Sequence, residues 1–460
     1  MKKVWKHITS VMLITVLVLM MLAGCTGETL SSDAPAVDNE VVNNSTINGV
    51  ALADYTIVYS ENAPVYCQRA AQYIQTQIGE RTGVTLEVCT VQSGSYAHEI
   101  LVGETDRDLS KQLNADTKHV EFATLADENH IAMEGDYFII AAAAYFFVET
   151  YIPANDFNTT VPTEVSVHQP ITEETNNVIF LIGDGMGYNH TDLFNLLRTE
   201  NSTQYSDMED IFYGKYLPYQ GQVHTNSLSG VTDSAAAATA LATGYKTENG
   251  FIGKDPEGKD LLSLTELANS KGMATAVMST ERSTGATPAG FSAHCYDRDE
   301  KLAIADSQDA IRSAGTKLVC GLESVGNVEP KITETLAFLD QSENGFFVMY
   351  EEAHIDKNSH NNDLNAVFDC VIRYNHAIGL FMEYAFYHPD TLVLITADHE
   401  TGGLTTDGKF TSEEHTGVCV PIYAYGQDAE VFDQFDEENV VIPKLIAKLW
   451  GEENFGGTYE

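Results

Sequence analysis

From residue 176 to residue 425, short apolar runs alternate with stretches of helical period, and few architectures accommodate that alternation. The runs cover 178–182, 222–225, 274–278, 345–350, 391–396 and 420–425. Strands buried on both faces read as unbroken apolar runs, because both rows of alternating side chains lie in a core. The predicted fold class is therefore α/β, a mostly parallel sheet with helices on both faces, spanning residues 171–460. Such sheets bind ligands beyond the carboxyl ends of their strands. Asp184 follows the first run, Glu351 the fourth, and Asp398-His399 the fifth.

Ahead of this region, residues 51–165 read as a smaller α/β unit. Strand patterns at 55–60, 84–89 and 99–102 accompany an amphipathic helix at 64–81. Glu134-Gly135-Asp136 lies between two apolar runs and reads as a hairpin turn. The unit resembles the small non-catalytic domain that precedes the catalytic domain in some secreted glycoside hydrolases. It holds no catalytic constellation, which leaves a spacer or docking role, or carbohydrate binding.

At the amino end, Lys2, Lys3 and Lys6 precede an apolar run at 11–22, the pattern of a secretory signal. The run closes in Leu22-Ala23-Gly24-Cys25, which resembles a bacterial lipobox. Residues 1–24 are expected to be removed, leaving a lipidated Cys25 that anchors the chain to the outside of the cell membrane. Residues 25–50, rich in Ser, Asp, Asn and Thr, read as a flexible tether. Export permits disulfides among the remaining six cysteines, and sequence proximity suggests Cys67 with Cys89 and Cys295 with Cys320.

The formal charge is −42, and −45 once the three signal lysines are lost, which argues against nucleic-acid binding through a basic surface. An anionic substrate would approach such a chain slowly unless bound cations reversed the local potential.

Small helix-forming residues after Ser234 place this serine in the first turn of a helix, where the dipole and free amides favour an anion. Asp356 and His360, four apart, face one side of a helical turn and can share a metal. Asp398 and His399 are neighbours at a strand end, where side chains alternate, so they are expected to point apart. His415, ahead of the last run, can complete a three-ligand site with an open position.

Asn177 to Gly187 (NVIFLIGDGMG), Thr232-Asp233-Ser234, Ala286-Thr287-Pro288-Ala289, the segment 351–360, Thr396-Ala397-Asp398-His399 and His415-Thr416-Gly417 together resemble the alkaline phosphatase family. The resemblance implies hydrolysis of small phosphate monoesters, with Ser234 as nucleophile and Arg298 as the phosphate clamp. It implies two zinc ions, one on Asp356, His360 and His415, the other on Asp184, Asp398 and His399, with a magnesium ion on Asp184, Thr287 and Glu351. Many relatives carry Asp or His where this chain has Gly285, so an outer partner of the magnesium is expected to be missing. The stretch from Arg298 to Glu351 is short, so the family's homodimer is allowed rather than implied. A diesterase or pyrophosphatase of the same superfamily is the nearest enzymatic alternative, although Thr287, Glu351 and Arg298 favour a monoesterase. A catalytically silent surface lipoprotein is the non-enzymatic one.

Overall fold

The computed structural model describes residues 43–113, 120–194, 211–324 and 327–457. The signal segment, Cys25 and the tether through residue 42 lie outside the described residues. The chain divides into two compact units, with the boundary between Ile171 and Thr172. Among the described residues, no helix is long and apolar enough to cross a membrane.

The first unit is built on a six-stranded sheet in the order Glu87–Thr90, Thr56–Tyr59, Glu99–Val102, His130–Glu134, Phe122–Ala126, Ser166–His168. The first four strands run parallel, and Phe122–Ala126 is antiparallel to both of its neighbours. Helices Val65–Thr82 and Ile139–Tyr151 pack against each other.

Three expectations change here. Glu134-Gly135-Asp136 is a strand-to-helix turn, because the apolar run after it is the helix Ile139–Tyr151, buried along most of its length. The hairpin turn lies earlier, where Asp127 Oδ1 accepts from the amides of Asn129 and His130, both at 2.7 Å. The unit also begins before residue 51 and continues past 165. Thr46–Ile47 pairs with Val50–Ala51 and with Asn158–Thr159, fully burying Ile47, while Ser166–His168 forms the sheet edge.

Among the described residues neither expected disulfide forms, Cys67 with Cys89 or Cys295 with Cys320. Closeness in sequence does not bring the thiols together. The Cys67 thiol packs over Gly103, the Cys295 thiol faces the Asp297 carbonyl at 3.4 Å, and that of Cys320 faces the Val277 carbonyl at 3.8 Å.

The second unit carries an eight-stranded sheet. In chain order its strands are β1 (Asn177–Gly183), β2 (Tyr219–His224), β3 (Ala274–Ser279), β4 (Lys317–Cys320), β5 (Phe346–Glu352), β6 (Thr391–Thr396), β7 (Val420–Tyr425) and β8 (Asp436–Glu438). Their spatial order is β4-β3-β5-β1-β6-β7-β2-β8. The pairings from β4 to β6 are all parallel, and only β7 is reversed against its neighbours β6 and β2. Every residue of β1, β5, β6 and β7 is buried, as strands covered on both faces require. Four helices frame the site: α1 (Ser234–Thr243), α2 (Ala286–Gly290), α3 (His354–His360) and α4 (Leu364–Tyr387). All ten residues of α1 are buried, and their small side chains let α2 come close: a Cβ at Gly290 would lie 2.6 Å from the Ala238 Cβ. Helix α4 lies along β1, β5 and β6.

Candidate active site

Register brings four strand ends level. Ile182 of β1 pairs with Glu351 of β5 and Thr396 of β6, while Ser279 of β3 also pairs with Glu351. The polar residues that end or follow these strands therefore collect on one edge of the sheet, where backbone amides are no longer committed to the ladder. Asp184, Glu351, Asp398 and His399 are all buried there.

Ser234 is the first residue of α1. The N-cap is Asp233, whose Oδ1 accepts from the Ala236 amide at 2.9 Å, so the serine hydroxyl is not spent on capping. Ser234 Oγ lies 3.3 Å from His399 Nε2. Asp233 also uses Oδ2 to accept from the Gly250 amide and from Arg298 Nη1, both at 3.0 Å. One carboxylate thus fixes both the helix start and the direction of the Arg298 guanidinium. The sequence reading gave Asp233 no role, although an acidic residue directly before a run of small helix formers is the usual sign of an N-cap.

Asp398 and His399 do not diverge as strand alternation implied. The chain has left β6 and bends at Asp398, so Asp398 Oδ2 approaches His399 Nε2 to 3.3 Å and Asp184 Oδ1 approaches the same nitrogen to 3.6 Å. Burial, then the neighbouring His415, lowers the His399 pKa to about 3, which keeps this ring neutral and its lone pair available.

Beside this group, Asp356 and His360 on α3 meet His415, which sits in the short antiparallel pair Glu400–Thr401 and His415–Thr416. Asp356 Oδ1 lies 3.3 Å from His360 Nε2 and 3.4 Å from His415 Nε2. The two Nε2 atoms face each other at 3.1 Å. Each ring directs Nδ1 at a backbone carbonyl, His360 at Glu413 (2.5 Å) and His415 at Thr232 (2.8 Å). With Nδ1–H donating in each case, two bare Nε2 lone pairs and a carboxylate oxygen converge, an arrangement suited to a shared cation. Asp356, His360 and His415 form one such three-residue group, and Asp184, Asp356 and His399 a second, so Asp356 borders both. Asp398 lies alongside the second group rather than within it.

At this edge, among the described residues, the buried oxygens Asp184 Oδ1, Thr287 Oγ1, Glu351 Oε1 and Asp398 Oδ2 make no hydrogen bond within the protein. Thr287, on α2, acts on the Glu351 carboxylate at close range but without the geometry of a hydrogen bond. The other oxygen of Glu351, Oε2, accepts from Ser279. A buried acceptor left unpaired costs about 1–3 kcal/mol, and more if it is charged. Burial, then the Asp398 carboxylate, raises the Asp184 pKa well above the usual carboxylate range. For Glu351 the raising causes are burial, then Glu281. Acidic oxygens without partners, crowded until their own ionisation is opposed, are a donor set that divalent cations fit.

A fold and site of this kind place the chain in a class of α/β proteins with cation-holding carboxylates and histidines at the carboxyl edge of the sheet. The family model for alkaline phosphatase matches residues 175–322 and 327–411, and the chain belongs to that family. Alkaline phosphatase 3 of Bacillus subtilis is 29% identical over 290 residues, which cover 50% of this chain and 62% of the relative. The chain thus spans less than two thirds of that curated relative's length. A solved variant of the TAB5 alkaline phosphatase, with Mg bound in its M3 site, is similar at 25% identity and a TM-score of 0.53, covering 62% of this chain and 100% of the other. The Thermus thermophilus alkaline phosphatase shares the fold at a TM-score of 0.54 and 16% identity, covering 63% of this chain and 94% of the other.

Proposed function

We propose that this chain hydrolyses phosphate monoesters through a phosphoserine on Ser234, at an extracytoplasmic surface to which a lipidated Cys25 ties it. The observation that carries the reading is the Ser234 hydroxyl, free of any capping role and set 3.3 Å from His399 Nε2 beside carboxylate oxygens that lack partners. Zinc ions held by Asp356, His360 and His415 and by Asp184, Asp398 and His399, with magnesium held by Asp184, Thr287 and Glu351, would supply the positive charge that the attacking and leaving oxygens need. Ser234 Oγ loses its proton and forms a bond to phosphorus as the ester oxygen departs and takes up a proton. Water then cleaves the phosphoserine from the vacated side, so two in-line displacements retain configuration at phosphorus. The first turn of α1 orients free amides toward the transferred group, and Arg298, aimed by Asp233, offers a planar fork to two phosphate oxygens. The test is phosphate release by purified protein from an aryl phosphate monoester and from the matching diester, before and after chelation. Monoester turnover that chelation abolishes supports the proposal, and a preference for the diester overturns it. The anchoring part is tested separately, by fatty-acid labelling of the wild type and of Cys25→Ser.

Arg298→Ala is expected to weaken inhibition by inorganic phosphate about 10- to 100-fold, the equivalent of one or two charge-assisted hydrogen bonds, while zinc content holds. Phosphate inhibition and bound zinc are measured on the same samples. Zinc lost with inhibition unchanged assigns Arg298 to the framework instead.

A further inference from the structure

The gap expected at Gly285 is filled. Gly285 has φ −63°, an ordinary value for any residue, so the backbone does not call for glycine there. Space does. A Cβ at this position would lie 1.7 Å from Glu281 Oε1 and 2.1 Å from Glu281 Cδ, so the Glu281 carboxylate occupies the volume that a side chain at 285 would need. Glu281 is firmly held in this pose. Its Oε2 accepts from Lys357 Nζ at 2.7 Å, its amide donates to Ser279 Oγ at 2.9 Å, and its carbonyl accepts from the Gly321 amide at 2.6 Å. Ser279 in turn donates to Glu351 Oε2, so Glu281 is one hydrogen-bonded residue removed from the carboxylate it borders. Lys357 follows Asp356 on α3, which places this cation beside the same site. The Glu281 side chain is 17% exposed, so its charge faces the site through little intervening water.

We propose that Glu281, laid over Gly285 and braced by Lys357, is a positioning residue for the divalent cation of the Asp184, Thr287 and Glu351 oxygens. It acts on the outer shell of that cation from a position four residues earlier in the chain than Gly285. The inference rests on the phosphatase reading for the identity of the cation. It also answers the expectation that an outer partner of the magnesium is missing at Gly285. A carboxylate introduced at 285 should not improve the site, because its Cβ meets Glu281.

The experiment is equilibrium dialysis of magnesium against the zinc-loaded full chain, with zinc content and Tm recorded alongside. Glu281→Gln keeps the shape, removes the charge, and is expected to raise the magnesium Kd about 10- to 100-fold. Glu281→Ala is expected to do the same, and Gly285→Asp alone to weaken binding. The double variant Glu281→Ala with Gly285→Asp, in which space and charge are exchanged, is expected to recover most of the affinity. Wild-type affinity in Glu281→Gln overturns the proposal, as does a double variant that binds no better than Glu281→Ala. Wild-type protein that hydrolyses the monoester but binds no magnesium also overturns it while leaving the phosphatase reading intact. An inactive wild type that binds magnesium with the expected variant pattern overturns only the phosphatase reading.

Discussion

Ser234→Ala is expected to lower turnover of an aryl phosphate monoester by several orders of magnitude while Tm and bound zinc stay at wild-type values. The fold should tolerate the change, because Asp233 rather than Ser234 caps α1 and alanine is a strong former at the first helical position. Chemistry should not. The hydroxyl lies 3.3 Å from His399 Nε2 beside the unpartnered carboxylate oxygens, and alanine leaves no oxygen there to accept the phosphoryl group. A small residual rate is expected, since positioning by Arg298 and the helix start remains available to direct attack by water. Acid quenching during turnover, followed by peptide mass analysis, should find phosphate on Ser234 in the wild type and none in the variant. Full turnover in a folded variant, or phosphate on another residue, removes Ser234 from the role of nucleophile.

What sequence could reveal follows from how each residue does its work. Strands β1, β5 and β6 were legible because burial on both faces leaves an unbroken apolar run, and the residues after them could then be placed on one edge. Edge strand β8, Asp436-Glu437-Glu438, has no apolar residue and exists only through its pairing with β2, so no local pattern announces it. Helix Ile139–Tyr151 was hidden for the opposite reason. It is apolar nearly all round, which erases the 3.6-residue period that marks a helix with one wet face. The convergence of Asp398 and His399 depends on a bend after β6, and the alternation rule ends where the strand does. Glu281 was the least visible of the site's neighbours. Its placement depends on space above a glycine four residues on and on a lysine from a different helix, neither of which a motif records.

Removal of the metal ions is expected to abolish activity and to destabilise the protein more at pH 8 than at pH 5. In the stripped chain, burial and then the neighbouring carboxylates act against ionisation at the sheet edge. Asp398 is pushed up to about 7, mainly by burial, and Asp184 and Glu351 rise well above the usual range. All three would ionise near their ordinary values in the unfolded chain. Between about pH 4 and pH 7 the folded stripped protein therefore holds more protons than the unfolded one, and its stability falls as pH rises through that window. Each unit of raised pKa corresponds to about 1.4 kcal/mol lost once the folded group has ionised. Bound cations replace those protons as partners of the same oxygens, so the loaded protein should escape the loss across this range. Thermal unfolding of metal-loaded protein and of protein stripped and then dialysed free of chelator, at both pH values, decides the matter. An equal drop in Tm at pH 5 and pH 8 would mean that these carboxylates are not what the cations stabilise, and the donor set assigned at the sheet edge would have to be drawn again.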